Sequence, residues 1–456
     1  MIRSLRALVA PEDVGSALPH EHILHSIGSI AASSDALTNV NIRCEDLVEY
    51  RRSPFAHGGR NLLLQKEDEA FRELEKLQLL GNGVGARCLV VDVTVPVEGR
   101  DALMKERLHL AERLHDVHLV TVTTVEMETR DDDVGSAFLP LAKTSEGISK
   151  RLEAELMFGI EREGAVVFPG AMYQQIHATN KALGAAEQVL VQGLALAQAR
   201  THAPLYLSFS LDNASEKPLE EQSALQQVIR AWIHALLEAG AEGKKLVVCH
   251  ADRWCHGRFD EAGYAFLLEL FGLGVSVLFD MIGLRTVSDV VLVNPCFTSV
   301  SGSFPLSPEH EWQEPAPDSR LATWLARLLI TAPQYLFQML LSTNVHQRTQ
   351  YRRNGGGGYA YLFEHFKHRM LHNGVTAAQW HQIVRTNVVD LLAWYVPPEA
   401  PPLPKNYLHC SICGNCFEPV EGEYFTKFAF IYCGPKCLRR HSRQKFASLP
   451  TNAGTS

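Results

Sequence analysis

The chain has 456 residues, 46% apolar and 21% charged, with a formal net charge of −8. This is the make-up of a globular chain with ample material for a large core, too long for one average domain. The acidic balance argues against a general nucleic-acid binder, and no run approaches the ~20 apolar residues of a membrane span.

Near the N-terminus, Arg3 and Arg6 precede only a short apolar stretch before Pro11, which is not a secretory signal. Leu18-Pro-His-Glu-His-Ile23 reads as the end of a first strand. His20 and His22 are two apart, so both imidazoles project from one face. A His-x-His pair there is a common start for a metal site in a (β/α)8 barrel, although two ordinary histidines are the plain alternative. Glu67 to Leu80 is an amphipathic helix closed by Gly81, Gly83 and Gly85. Cys88 to Val95 is a continuous apolar run of the kind buried on both faces.

Helix and strand then alternate. Helices are expected at Asp101–Leu114, Ile148–Glu163, Ala185–Arg200, Leu225–Ala239, Glu261–Leu273 and Leu321–Ile330. Strands are expected at Val117–Val125, Ala165–Tyr173, Pro204–Ser210, Leu246–His250, Val275–Phe279 and Gln338–Ser342. The last helices fall near Tyr359–His372 and Ala377–Leu392, and the loop-like interval Arg285–Glu314 reads as an excursion over the barrel mouth. Eight such strands make an α/β fold, a (β/α)8 TIM barrel over residues 1–396 with ligands at the strand C-termini. A proline-rich linker (397–405), a cysteine module (406–445) and a disordered tail (446–456) complete the chain.

Several ordered motifs run together: Leu18-Pro-His-Glu-His, Val91-Asp-Val-Thr-Val-Pro-Val-Glu-Gly-Arg-Asp101, Phe158-Gly-Ile-Glu161, Cys249-His-Ala-Asp-Arg253, Leu340-Leu-Ser-Thr-Asn-Val-His346 and Gly355-Gly-Gly-Gly-Tyr359. In these the chain resembles the phosphotriesterase-related branch of the metal-dependent amidohydrolases. The resemblance implies two metals held by a His-x-His pair, a bridging carboxylated lysine or glutamate on strand four, histidines on strands five and six, and an aspartate on strand eight. His20, His22 and His250 match that pattern. Ala171, Ser208 and Asn344 stand at the other three positions. No Lys, Asp or Glu occurs from Ala165 to Asn180, so a small shift in alignment restores no bridge.

Without a bridging carboxylate the repulsion between two cations is poorly offset, and an asparagine cannot take a proton from a metal-bound water. Three neutral imidazoles could still hold one Zn²⁺, with Glu126, Glu128 or Asp252 as substitutes in a rebuilt site. Asp280 reads as a strand-end residue that caps a loop or faces the mouth. Gly355–Gly358, beside Arg352 and Arg353, reads as a structural turn in preference to a phosphate cradle.

Five of the ten cysteines, Cys410, Cys413, Cys416, Cys433 and Cys437, lie within 28 residues. That is the usage of a cytoplasmic chain with one metal module and not of a secreted disulfide scaffold. Cys410-x2-Cys413-Gly and Cys433-x3-Cys437 suit one tetrahedral structural Zn²⁺, with Cys416 and His441 as alternate ligands. The segment resembles an FCS-type or related treble-clef zinc finger, departing from it at Gly434. Lys436, Arg439, Arg440, Arg443 and Lys445 crowd its last helix, where a solvated face is the default and contact with RNA, DNA or an acidic protein is the sharper option. The favoured reading is a degenerate barrel acting as a binding or scaffold module, with a zinc finger that recruits a protein partner. The alternative is a hydrolase of esters, lactones or amides with a rebuilt, mononuclear zinc site on His20, His22 and His250.

Overall fold

The computed structural model describes the chain apart from residues 28–40, 53–57, 79–86, 133–134, 141–142, 163, 179–181, 212–217, 256–260, 285–317, 398–407, 421–423, 428–429, 444–445 and 447–456. It forms two compact units, Met1–Val396 and Pro397–Ser456. No described helix is long and apolar enough to cross a membrane.

The first unit is built on eight parallel strands: β1 (Val14–Glu21), β2 (Arg87–Asp92), β3 (Val117–Thr123), β4 (Ala171–Ala178), β5 (Leu205–Leu211), β6 (Leu246–Val248), β7 (Ser276–Phe279) and β8 (Met339–Leu341). They pair in sequence order from β1 to β8, each in parallel register with the next. Strand alternation sorts the side chains. Cys88 and Val90 of β2 pack outward against the helices, while Leu89 and Val91 join Val120, Val122, Tyr206, Val247, Leu278 and Leu340 inside the barrel. This double burial explains why the strands read as unbroken apolar runs. The outer ring includes α1 (Glu67–Gln78), α2 (Met104–Arg113), α3 (Ser145–Phe158), α4 (Ala185–Thr201), α5 (Pro218–Glu238), α6 (Ala262–Gly272) and α7 (Asp318–Thr331).

Two local expectations are corrected. The stretch Ala165–Tyr173 is not one strand: Ala165–Val167 closes an antiparallel hairpin with Ile160–Arg162, and β4 starts only at Ala171. Gly159 (φ +88°) makes that hairpin's sharp entry, where a Cβ would meet Val166 and Phe168. A second hairpin, Met127–Asp132 with Gly135–Pro140, follows β3 where no element was expected. The excursion at 285–314, the proline linker and the tail beyond Phe446 lie outside the described residues.

Between β8 and β1, among the described residues, closure runs through a side chain and not a ladder. The buried Glu21 carboxylate accepts from Ser342 Oγ (2.7 Å), Thr343 N (2.8 Å), Thr343 Oγ1 (2.7 Å) and Val345 N (2.7 Å). His20 N donates to Ser342 Oγ (3.0 Å) and His22 N to Val345 O (3.2 Å). Glu21 is therefore the staple of the barrel seam, wedged between two histidines that attract all the notice in the sequence.

The glycine run is a packed turn. A Cβ on Gly356 would strike the Gln350 backbone and one on Gly357 the Tyr361 ring. Arg352 pairs with Glu364 (2.8 Å) and Arg353 with Glu69 (2.8 Å), so both cations are engaged within the fold.

Candidate functional site

The strand C-termini bring four of the sequence-predicted residues to one place. His20 sits near the end of β1, Ser208 in β5, His250 just after β6 and Asn344 just after β8, all essentially buried. Asp280, at the end of β7, is the residue that organises them. Its Oδ1 lies 3.0 Å from His250 Nδ1 and its Oδ2 2.7 Å from His20 Nδ1. The His20 contact is short but off the hydrogen-bond direction, since neither ring nitrogen of His20 has a hydrogen-bond partner among the described residues. Ser208 Oγ completes the chain at 2.8 Å from His250 Nε2. His250 itself sits in the left-handed region (φ +61°), which turns its ring back over the strand end.

Ala171 is not level with this cluster. It pairs with Val122 and fills the barrel interior one layer below. The β4 side chain that reaches the histidines is Tyr173, two residues on, its ring centroid 5.6 Å from that of His20. Burial drives the Tyr173 phenol well above its ordinary value, so it stays neutral and supplies no bridging charge. Asn344 (φ +45°) is 1% exposed, and neither its Oδ1 nor its Nδ2 has a hydrogen-bond partner among the described residues.

His22 lies outside the ligand set around Asp280, although its ring centroid is 5.9 Å from that of His20. Its Nδ1 is 3.2 Å from Thr94 Oγ1 and 3.7 Å from Glu98 Oε2, and its ring packs against His25 (5.8 Å) and His346 (6.3 Å). Glu98 accepts from Gln175 Nε2 (2.8 Å), and behind Thr94 lies the buried Asp92–Arg107 pair (2.8 Å). Glu98 was hidden inside the Val91–Asp101 motif; only its place just past a buried strand could have marked it. Glu126 instead pairs with Arg151 (2.7 Å), half-exposed. The side chain of Glu128 lies outside the described residues. Asp252 accepts from the backbone of Asp280 (2.8 Å) and Met281 (3.3 Å) and so shapes the β7 turn.

The electrostatics follow from burial. Desolvation, then mutual repulsion, keeps the imidazoles neutral: His25 and His346 fall to about 3, and His22 and His250 also move down. Burial pushes Glu98 up to about 7 and, with the charge of Asp280, Asp252 up to about 8. Burial opposes ionisation of Asp280 as well, but His250 and His20 outweigh it and hold that carboxyl below its usual range. The four depressed histidines stabilise the fold fully above pH 6.5, and that contribution is lost as pH falls toward their folded values. Glu98 and Asp252 act oppositely, being protonated in the fold at pH 5 and ionised in the unfolded chain. The raised Glu21 and Glu73 oppose the loss as well, while His118, lowered to about 4 by burial, adds to it. NMR titration of the His25 and His346 rings is expected to show no protonation between pH 6.5 and 5; a midpoint above pH 5 for either would contradict the assignment of neutral buried histidines.

As a metal site the mouth fits the family's pair of ions poorly. His20, His250 and Asp280 each offer one ligand atom, all within 4.8 Å of one another. That is donor chemistry for one ion, since Zn²⁺ with ~2.1 Å bonds spaces its ligands by ~3.4 Å. His22 is not in that set, contrary to the expected His20, His22 and His250 grouping.

In the second unit, β9 (Leu408–His409) pairs with β10 (Cys416–Phe417), β11 (Phe425–Lys427) pairs with β12 (Phe430–Tyr432), and helix α8 (Pro435–Arg443) follows. Cys410, Cys413, Cys433 and Cys437 present their sulfurs within 4.8 Å of one another. The Cys413–Cys433 and Cys433–Cys437 Sγ separations are 3.6 and 3.7 Å. A tetrahedral Zn²⁺ with ~2.3 Å bonds needs edges of ~3.8 Å, so these residues fit a structural zinc. Burial opposes it, but the backbone amides of Cys433, Cys413 and Ile412 bring the Cys410 thiol down to about 6. The two alternate ligands lie elsewhere. Cys416 Sγ meets His409 Nδ1 at 3.0 Å. His441 is fully buried, its Nδ1 3.0 Å from Tyr432 Oη and its ring against Phe430 and Phe446, so it serves as the module's core.

Comparison with known proteins agrees with both units. Residues 405–449 match the Vms1-associating treble clef domain. The N-acetyltaurine hydrolase of Rattus norvegicus is 25% identical over 390 residues, covering 85% of this chain and 96% of that protein. A phosphotriesterase-related protein of Nematostella vectensis is 23% identical over 396 residues, covering 85% and 97%. Among solved structures, a resiniferatoxin-binding protein from Rhodobacter sphaeroides superposes with a TM-score of 0.63 at 21% identity, covering 86% of this chain and 94% of that one. The phosphotriesterase homology protein of Escherichia coli gives 0.53 at 19%, covering 83% and 99%. With residues 1–392 matching the phosphotriesterase family model, the chain belongs to the phosphotriesterase family and carries a treble-clef module after the barrel in sequence.

Proposed function

We propose that the barrel is a degenerate member of its family that has lost two-metal hydrolysis and serves as a binding or scaffold module, while the treble clef recruits a protein partner. One observation carries this reading. At the mouth, β4, β5 and β8 offer Tyr173, Ser208 and Asn344, none of which bridges two cations or takes a proton from water. Of the carboxyl groups there, Asp280 is shared between two imidazoles, and Glu98 lies beside His22 and is held by Gln175. The module's match to a Vms1-associating domain supports the protein partner. The assay that tests this offers N-acetyltaurine, a lactone and a phosphotriester to the zinc-loaded full chain. The expected rates are equal to those of H20A/H250A; turnover at least 10-fold above that variant would contradict the proposal.

A second reading, a mononuclear hydrolase, is favoured by the single-ion grouping of His20, His250 and Asp280. Bound there, the ion would polarise a carbonyl and lower the pKa of a water. In that case His20, His250 and Asp280 hold it and Ser208 orients the His250 ring. The amide bond of N-acetyltaurine is then the first substrate to try, because relatives covering most of this chain are named for it.

A further inference from the structure

We propose that the outer face of α8 is a docking surface for an acidic peptide segment of a partner protein. This rests on the reading of the module as protein-recruiting and names the face and the chemistry. Lys436, Arg439, Arg440 and Arg443 follow the i, i+3, i+4, i+7 spacing of one helical stripe, and all four are exposed. The opposite side holds the structure together: Cys437 faces the sulfur cluster and His441 the aromatic core. The stripe is thus free of any structural duty. Elsewhere among the described residues several surface arginines sit in ion pairs, as Arg200 does with Glu146 and Glu153, Arg230 with Glu269 and Arg352 with Glu364. Among the described residues the four cations of α8 make no ion pair, side-chain hydrogen bond or ring contact.

Charge complementarity sets the occupant. Between Lys405 and Leu449 there are seven lysines and arginines against three glutamates, in a chain whose total is −8. The excess of acid therefore lies outside the module, and the module is the basic part of the chain, complementary to an acidic segment. Four cations over eight positions span roughly 10 Å, the reach of one turn or two of an acidic helix or a few extended residues. The same number of phosphate contacts gives nucleic acid only weak, salt-sensitive binding.

The test measures fluorescence anisotropy of the full chain with two probes of equal length, a fluorescein-labelled 12-residue glutamate peptide and a 12-nucleotide oligouridine. Expected are saturable peptide binding at 50 mM salt, at least 10-fold weakening by R439E/R440E, no comparable loss for the barrel control K150E/R369E, and oligouridine no tighter than peptide. Unchanged peptide binding by R439E/R440E overturns the proposal, as does oligouridine binding 10-fold tighter than peptide. Crosslinking of the full chain in cells separates this from the underlying reading. A partner retained by R439E/R440E but lost on C433S/C437S refutes this face and leaves recruitment by the module standing; a partner retained by both variants refutes both.

Discussion

Glu21→Ala is expected to destabilise the barrel by about 3–5 kcal/mol. The substitution leaves the buried N–H groups of Thr343 and Val345 without an acceptor, at about 1–3 kcal/mol each, and removes the partner of two hydroxyls. These contacts make up most of the hydrogen bonds between β8 and β1, beside those of His20 N and His22 N, so the loss is felt at the seam and not as a local void. Glu21→Gln should cost less, because one oxygen can keep the three bonds to Ser342 and Thr343, while its NH₂ group faces the Val345 N–H. Urea denaturation of the two variants against the parent chain measures both effects. A Glu21→Ala change below 1 kcal/mol would show that the seam closes without this carboxylate.

The second large effect belongs to the treble clef. Cys433→Ser with Cys437→Ser removes half of the sulfur cluster, and with it the ion that such small modules depend on for folding, at roughly 10–16 kcal/mol of metal binding in zinc-finger peptides. The four short strands and α8 enclose only a small core around Tyr432 and His441. Amide hydrogen exchange is expected to rise to the unfolded rate throughout residues 408–443 in this variant, with the barrel's protection unchanged. Protection retained in α8 would mean that the aromatic core folds the module without its thiolates.

These residues also show what was legible beforehand. The barrel was readable because its strands are buried on both faces and its helices carry one apolar stripe, patterns that survive without any tertiary information. The knuckles were readable because sulfur spacing on tight turns leaves few alternatives. What escaped were relations across the sheet. Register decides that Tyr173 and not Ala171 stands by His20, and a hairpin of eight residues had hidden where β4 begins. Asp280 and Glu21 are single carboxylates whose roles exist only once β7 lies beside β6 and β8 beside β1. His441 had metal-ligand spacing, yet a helix of this length turns it into the aromatic core.

The most direct test of the degenerate-barrel account is zinc per chain by elemental mass spectrometry on the full-length protein and on the full-length variants C433S/C437S and H20A/H250A. The account predicts one zinc in the parent chain, none in C433S/C437S and one in H20A/H250A. Zinc retained by C433S/C437S at one per chain, and lost when His20→Ala and His250→Ala are added, would place a metal on the barrel and contradict it.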